Sequence, residues 1–213
     1  MNTVFQKGAR VLFYGDSITD AGRSRTVDTE WGRGYAARTA RAYQALLPEQ
    51  EIVFLNRGIS GNTSADLLTR YEQDVLALQP DFVSVMIGIN DTWHGWNEGH
   101  VIPHETTQAN VRELLGRIRR DLPQAKILVL EPYLLDSDPK KVSWHEDFEP
   151  KRERIRAVGQ EMADYYIDLP KLFAEYMSQG VRQEELTADG VHPTEYGHAV
   201  IAEAWLRCVG VIQ

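Results

Sequence analysis

Residue types that together perform acyl transfer occur near opposite ends of the chain. Ser17 lies in the sequence GDSIT, directly after the apolar run VLFY, and Asp189 and His192 lie in the sequence DGVHP. A serine hydroxyl becomes an effective nucleophile when an imidazole takes its proton, and a carboxylate holds that imidazole in one tautomer. Asp189 and His192 can form this pair if their loop folds back on itself. The three residues therefore have the types that a serine hydrolase requires.

Each of these two motifs also has a purely structural interpretation. Ser17 could cap a helix that begins after the strand, since Ser and Asp are favoured at that position. The sequence DGVHP consists mostly of turn residues and could be a turn before the last helix, with His192 at the surface. Taken one at a time, neither motif excludes these alternatives.

Two further motifs could stabilise the negative charge that develops during acyl transfer. GISGNT, residues 58–63, is a glycine-rich loop that leads into a helix, where free backbone N–H groups favour an anion. GINDT, residues 88–92, follows the most apolar run and supplies the side-chain amide of Asn90. Acyl transfer needs such donors around the tetrahedral oxyanion. GISGNT matches neither the P-loop nor the dinucleotide fingerprint, and Asn90 could instead cap a turn.

The elements that must position these motifs alternate along the chain. Predicted strands cover residues 11–14, 52–56, 82–87, 126–130 and 166–169, and predicted helices cover residues 34–47, 63–78, 105–120, 149–165 and 194–209. Strands that alternate with helices predict an α/β fold with a parallel sheet. Ligands bind beyond the C-terminal ends of such strands. GDSIT, GISGNT and GINDT lie just after predicted strands. No linker divides the chain, so we expect one domain over residues 1–213.

Composition and charge narrow the classes of partner. Lys and Arg number 23 against 31 Asp and Glu, which gives a formal net charge of −8. This balance argues against binding to nucleic acid or to an anionic membrane, and it disfavours anionic substrates. Cys208 is the only cysteine, and the first residues lack the apolar run of a secretory signal. We therefore expect a cytoplasmic protein.

In this order and at these spacings, GDSITD, GISGNT, GIND and DGVHP resemble the conserved blocks of the SGNH (GDSL-type) serine hydrolase family, over essentially the whole chain. The resemblance implies a flavodoxin-like three-layer α/β/α sandwich around a five-stranded parallel sheet. It also implies Ser17 as nucleophile, His192 as general base and then acid, and Asp189 as its orienting carboxylate. The implied oxyanion hole consists of the Ser17 and Gly61 backbone N–H groups and the Asn90 amide, with no cofactor.

Within this family the chain looks most like intracellular carbohydrate acetylesterases of the acetyl-xylan esterase type. Trp93, which follows the Asn90 motif, could stack on a sugar face or pack the loop against the core. Asp16, beside the nucleophile, is the second candidate substrate-binding residue. Residues 134–148 form the longest irregular stretch and could be a lid or an oligomer contact.

Metal chemistry is disfavoured. Four aspartates near the motifs could suggest an acidic metal site, but carboxylates beside glycine turns commonly bond to nearby backbone N–H groups. The histidines and glutamate of a conceivable zinc site lack the HExxH pattern. The two sets are Asp16, Asp20, Asp91 and Asp189, and His94, His100, His104 and Glu105.

We expect a serine esterase that removes acetyl groups from sugars or oligosaccharides through an acyl-enzyme. Its partner would be an acetylated oligosaccharide, with neither nucleic acid nor membrane, and a homo-oligomer is compatible with the sequence. Two alternatives stay open: a lysophospholipase or thioesterase of the same family, and a non-catalytic flavodoxin-like binding module.

Overall fold

Five parallel strands form one sheet in the computed structural model, which describes residues 3–213. Their spatial order is β2-β1-β3-β4-β5. The strands are β1 (Arg10–Gly15), β2 (Val53–Asn56), β3 (Phe82–Met86), β4 (Lys126–Leu130) and β5 (Tyr165–Ile167). All neighbouring strands pair in parallel. Parallel pairing requires a crossover between consecutive strands, and helices occupy those crossovers.

Helices cover both faces of the sheet. They are α1 (Ser17–Asp20), α2 (Tyr35–Leu46), α3 (Ser64–Thr69), α4 (Tyr71–Asp74), α5 (Ile89–Glu98), α6 (His104–Asp121), α7 (His145–Met162), α8 (Leu169–Ser178), α9 (Gln183–Leu186) and α10 (Glu195–Cys208). Short 3₁₀ turns cover Pro48–Gln50, Leu76–Leu78 and Pro139–Trp144.

Alternate side chains of the strands enter two separate cores. In β1, Val11 and Phe13 pack on the face covered by α2, α8 and α10, whereas Leu12 and Tyr14 pack on the face covered by α3, α4, α6 and α7. Strands buried on both faces need the nearly continuous apolar sequence that β1 and β3 have. The predicted three-layer α/β/α sandwich with five parallel strands is confirmed.

Several helix predictions were wrong. The single helix predicted over residues 63–78 is broken into α3, α4 and a 3₁₀ turn. The break is at Arg70, whose guanidinium donates to the Gly15 carbonyl and to the Asp74 carboxylate. The helices α5 and α8 were not predicted. No helix within residues 3–213 combines the length and the apolar character needed to cross a bilayer.

The stretch 134–148, expected to be irregular, is largely ordered. It contains the turn Pro139–Trp144 and the first residues of α7, which starts at His145, before the predicted start at residue 149. Leu134, Trp144 and Phe148 are buried in the core. Packing of this kind ties the stretch to the body of the protein.

Candidate active site

The four motifs meet at the C-terminal edge of the sheet. Ser17 is the first residue of α1, and only Asp16 separates it from Gly15, the last residue of β1. Gly15 is required at this exit, because a Cβ there would collide with the Met86 carbonyl oxygen and the Thr19 hydroxyl. The close approach of strand, turn and helix therefore presents the Ser17 side chain at the sheet edge.

Ser17, His192 and Asp189 form a continuous hydrogen-bonded chain. The Ser17 Oγ lies 3.0 Å from His192 Nε2, and His192 Nδ1 lies 2.9 Å from Asp189 Oδ2. An ionised carboxylate only accepts hydrogen bonds, so Nδ1 donates to Asp189 and Nε2 is left to accept the Ser17 hydroxyl proton. This is the arrangement in which an imidazole can act as a base toward serine.

The loop that carries Asp189 and His192 is held by backbone contacts. Gly190 has a φ of +83°, and a Cβ there would collide with the Leu135 carbonyl oxygen. The Leu135 N–H donates to the Gly190 carbonyl at 2.9 Å, and the Tyr133 hydroxyl donates to the Val191 carbonyl at 2.8 Å. The left-handed glycine and these bonds fold the loop back, so that Asp189 reaches His192.

The charges of the pair stabilise each other. Burial raises the pKa of Asp189, but hydrogen bonds from the His192 side chain and backbone outweigh it and hold that pKa well below its usual range. The hydrogen bond to Asp189 raises the pKa of His192 above its ordinary value of 6.5, although burial opposes the change. The pair therefore stabilises the imidazolium that forms when His192 takes a proton.

Asp16 lies beneath the nucleophile rather than in the wall of a cavity. Its side chain is only 1% exposed, and its Oδ1 accepts a hydrogen bond from the Ile18 N–H at 3.0 Å, which caps α1. Burial raises the pKa of Asp16 to about 7. Asp16 therefore has a structural role as a buried cap, and its substrate-binding role stays a prediction from the sequence.

The three donors predicted for the oxyanion hole are the Ser17 and Gly61 backbone N–H groups and the Asn90 amide. Within residues 3–213, neither the Ser17 nor the Gly61 backbone N–H donates to another protein group. The Asn90 amide donates to the Asn62 carbonyl at 2.9 Å, which places Asn90 beside the Asn62–Thr63 peptide, one residue after Gly61. An amide nitrogen carries two hydrogens, so one remains for a ligand.

Buried hydrogen bonds tie the Gly61 loop to the Asn90 helix. Thr63 caps α3 together with Asp66, as the sequence predicts. Asp91, next to Asn90, accepts hydrogen bonds from the Ser64 N–H at 2.9 Å and the Ser64 hydroxyl at 2.5 Å. The His94 ring, also on α5, lies 2.9 Å from the Gly61 carbonyl oxygen. The two donor-bearing segments are therefore held as one unit.

Trp93 lies against the His192 imidazole. Lys141, which the sequence analysis did not single out, lies beside the Trp93 ring. The Trp93 ring centroid is 5.7 Å from that of His192, and the Lys141 Nζ is 5.2 Å from the Trp93 centroid. Lys141 donates to the Asp189 carbonyl at 2.9 Å and to the Asp138 carboxylate at 2.8 Å. Lys141 is far from Asp189 in sequence, so no local motif indicated it.

The residues weighed for metal sites have separate partners. Asp20 accepts hydrogen bonds from Ser60 and Arg25, and Asp91 accepts them from Ser64. His104 pairs with Asp147. In the part of the chain that the structure describes, no three His, Cys, Asp or Glu side chains gather closely enough to hold a metal ion.

Comparisons with known proteins place this chain in a family. The family model for GDSL-like lipases and acylhydrolases matches residues 13–200. An acetylxylan esterase from Geobacillus stearothermophilus is 34% identical over 213 residues, which covers 95% of this chain and 94% of the relative.

Solved structures agree with these sequence matches. A GDSL-like lipase from Parabacteroides merdae has a TM-score of 0.93 at 31% identity, with 100% of both chains covered. The crystal structure of an acetylxylan esterase from Geobacillus stearothermophilus has a TM-score of 0.86 at 30% identity, with 98% of both chains covered. The resemblance stated from the sequence is confirmed: this chain belongs to the GDSL-like lipase/acylhydrolase family and is a carboxylic ester hydrolase.

Proposed function

We propose that Ser17 is the nucleophile of this esterase and that it attacks the carbonyl carbon of an acetyl ester. His192 Nε2 takes the Ser17 proton as the bond between Oγ and the carbonyl carbon forms. Asp189 holds the imidazole in the tautomer that this transfer needs. The single observation that carries the proposal is the continuous chain from Ser17 Oγ through His192 to Asp189, with links of 3.0 and 2.9 Å.

The tetrahedral intermediate places its negative charge on the former carbonyl oxygen. The Ser17 and Gly61 N–H groups and the free Asn90 amide hydrogen are the donors that we assign to this oxygen. Loss of one such donor typically reduces transition-state stabilisation by about 2.7–4 kcal/mol. The two backbone N–H groups make no other protein hydrogen bond within residues 3–213, so they are available without breaking an existing contact.

Collapse of the intermediate breaks the bond to the leaving oxygen, which receives its proton from His192. The acetyl group is then held on Ser17 as an ester. Water, activated by the neutral His192, attacks that ester, and acetate leaves as Ser17 recovers its proton. The cycle consumes one ester and one water and releases one alcohol and one acetate.

The leaving alcohol in this proposal is a sugar or a short oligosaccharide. The relative from Geobacillus stearothermophilus named above acts, by its name, on acetylated xylan. Trp93 supports a sugar ligand as well, because it is half-buried and lies beside the imidazole that must protonate the leaving oxygen. Aromatic faces next to a reacting centre can pack on the apolar face of a sugar ring.

Acetate release from a substrate panel tests the proposal. The panel contains acetylated xylo-oligosaccharides, p-nitrophenyl acetate and a long-chain lysophospholipid. We expect acetate from the first two and negligible fatty acid from the third, with loss of nearly all turnover in Ser17→Ala. Ser143→Ala, which removes an exposed serine hydroxyl, serves as the matched control and should retain full activity. Unchanged turnover in Ser17→Ala, or preferred cleavage of the lysophospholipid, would contradict the proposal.

We also propose a cytoplasmic location. Cys208 is the only cysteine of the sequence, so the chain forms no internal disulfide and has no need of an oxidising compartment. Fractionation of the native source with an antibody against the protein tests the location, and recovery outside the cytoplasmic fraction would contradict it.

A further inference from the structure

A cavity of about 380 Å³ opens directly beside the nucleophile and carries positive charge. Ser17 and His192 line it together with Arg33, Arg38 and His198. Such a volume lies within the range of small-molecule sites. The charge of these arginines is therefore adjacent to the reacting atoms rather than on a remote surface.

Arg33 and Arg38 are set apart from the other arginines by their lack of partners. Within residues 3–213, neither guanidinium donates a hydrogen bond, whereas each of the other arginines donates at least one. The buried Nε of Arg38 has no acceptor among these residues. Guanidinium groups with unused donors are suited to bind a planar anion.

The one carboxylate of the cavity lining does not neutralise this pair. Glu195 Oε2 is 4.0 Å from Arg38 Nη2, beyond hydrogen-bonding distance, and the Glu195 side chain is 98% exposed. Exposed ion pairs of this kind contribute only about 0–1 kcal/mol. Arg33 forms no ion pair with any described residue. The positive charge of the cavity is thus available to a ligand.

His198 adds a neutral donor to the same wall. Its Nδ1 accepts a hydrogen bond from the Tyr35 N–H at 3.1 Å, so the neutral ring carries its proton on Nε2. Burial, followed by the charge of Arg38, lowers the pKa of His198 to about 4. The ring is therefore uncharged at neutral pH. Its Nδ1 lone pair already accepts the Tyr35 N–H, so the ring has no free nitrogen with which to act as a second base.

The cavity lies on the side of the site where the leaving group must be. His192 lines it, and His192 donates the proton to the leaving oxygen in the proposed mechanism. Gly61 and Asn90, which we assign to the carbonyl oxygen, do not line it. A ligand in this cavity is therefore the alcohol part of the ester rather than its acyl part.

We propose that the preferred substrate is an acetylated sugar whose leaving part carries an anionic group, such as the carboxylate of a uronic acid, bound by Arg33 and Arg38. This inference rests on the esterase function proposed above and narrows its substrate class. It departs from the expectation, based on the net charge of −8, that anionic substrates are disfavoured. The acidic side chains that produce this net charge do not neutralise the positive charge of the two arginines at the cavity.

The decisive experiment compares two acetyl esters that differ in one group. A methyl glucuronoside and a methyl glucoside, each acetylated at the same hydroxyl, differ only in a carboxylate against a CH₂OH group. We expect kcat/KM to be at least about tenfold higher for the glucuronoside in the unmodified enzyme, because only its carboxylate can form hydrogen bonds with Arg33 and Arg38 in which both partners are charged. An acetylated glucose 6-phosphate, as a third substrate, distinguishes carboxylate from phosphate as the preferred anion.

Variants assign the preference to the two arginines. In Arg33→Gln and Arg38→Gln, we expect the glucuronoside-to-glucoside ratio to fall toward one, mainly through a higher KM for the anionic ester. Arg207→Gln removes the same charge near the C-terminal end of α10, where Arg207 pairs with Glu203, and should leave the ratio unchanged. Preference for an anionic sugar ester that is lost only in the cavity variants supports the proposal.

Two other outcomes distinguish failure of the anionic-substrate inference from failure of the proposed function. Equal kcat/KM for the anionic and neutral sugar esters, or a ratio that survives both cavity variants, would overturn the anionic-substrate inference while leaving the esterase intact. Failure of the unmodified enzyme to hydrolyse p-nitrophenyl acetate and every sugar ester would instead overturn the proposed function.

Discussion

Asp189 binds His192 twice, through both of its carboxylate oxygens. Oδ2 lies 2.9 Å from the ring Nδ1, and Oδ1 accepts a hydrogen bond from the backbone N–H of the same histidine at 2.7 Å. One carboxylate therefore fixes both the ring and the main chain from which the ring projects. The two residues lie in one short loop, and the Leu135 N–H and the Tyr133 hydroxyl hold the backbone of that loop.

This double contact predicts the pH dependence of the enzyme. His192 accepts the Ser17 proton only when it is neutral, and its hydrogen bond to Asp189 raises its pKa above 6.5. We therefore expect kcat/KM for p-nitrophenyl acetate to fall as the pH falls through a midpoint above 6.5. Stopped-flow or plate assays between pH 5 and 9 measure this, and a profile that stays flat down to about pH 5 would refute the assignment of His192 as base.

Asp16→Asn is expected to stabilise the protein in a pH-dependent way. Burial raises the pKa of Asp16 in the folded protein to about 7, from an ordinary value of 3.8. Between these two pH values the Asp16 carboxyl is ionised in the unfolded chain and protonated in the folded protein. The free energy of unfolding of the wild type therefore falls as the pH rises, by up to about 4 kcal/mol above pH 7. Asparagine keeps the cap acceptor without the charge. Urea unfolding at pH 4 and 8 should show the variant's advantage only at pH 8, and an equal difference at both would contradict this.

Asn90→Ala tests the side-chain donor of the oxyanion site. We expect kcat to fall by about 10²–10³-fold, with little change in KM, because the donor acts on charge that develops in the transition state. Asn97→Ala, an exposed position near the end of the same helix, controls for general effects on α5. Circular dichroism verifies folding, and a wild-type kcat in folded Asn90→Ala would exclude this role.

Lys141→Met tests the lysine that supports the Asp189 loop. Loss of its charge-assisted hydrogen bonds should reduce the free energy of unfolding by about 1.5–3 kcal/mol. Its positive charge lowers the pKa of His192, so its removal should also move the acid limb of the pH–rate profile to higher pH. Lys140→Met, at the exposed neighbouring position, should change neither quantity. A destabilised variant with an unshifted acid limb would leave Lys141 with only a structural role.

Features that depend on residues close together in sequence could be predicted, whereas features that depend on contacts between distant residues were missed. The Asp189 and His192 pair could be predicted because the two residues are close in sequence, and the strands could be predicted because both of their faces are apolar. Helix α5 was missed because its sequence INDTWHGWNE, with Gly95 and two asparagines, has low helix propensity. Its first turn is secured instead by buried bonds of Asp91 to Ser64 and Thr107.

Other misses have equally specific causes. The helix predicted from residue 149 begins earlier, at His145, and Pro150 lies within its first turns. Lys151 is buried, although lysine side chains are mostly exposed, and its Nζ donates to the Asp91 carbonyl at 2.8 Å. Lys141 and Lys151 owe their roles to the Asp189 and Asp91 carbonyls, partners far away in sequence that no local pattern encodes.

Covalent labelling of Ser17 tests the central claim most directly. A serine-directed organophosphonate reacts with a serine only when its hydroxyl is activated, and intact mass with peptide mapping locates the adduct. We predict one adduct, on Ser17, formed in step with loss of esterase activity and absent in Ser17→Ala. A folded, active enzyme that forms no adduct on Ser17, or that is inactivated by an adduct on another serine, would contradict the account.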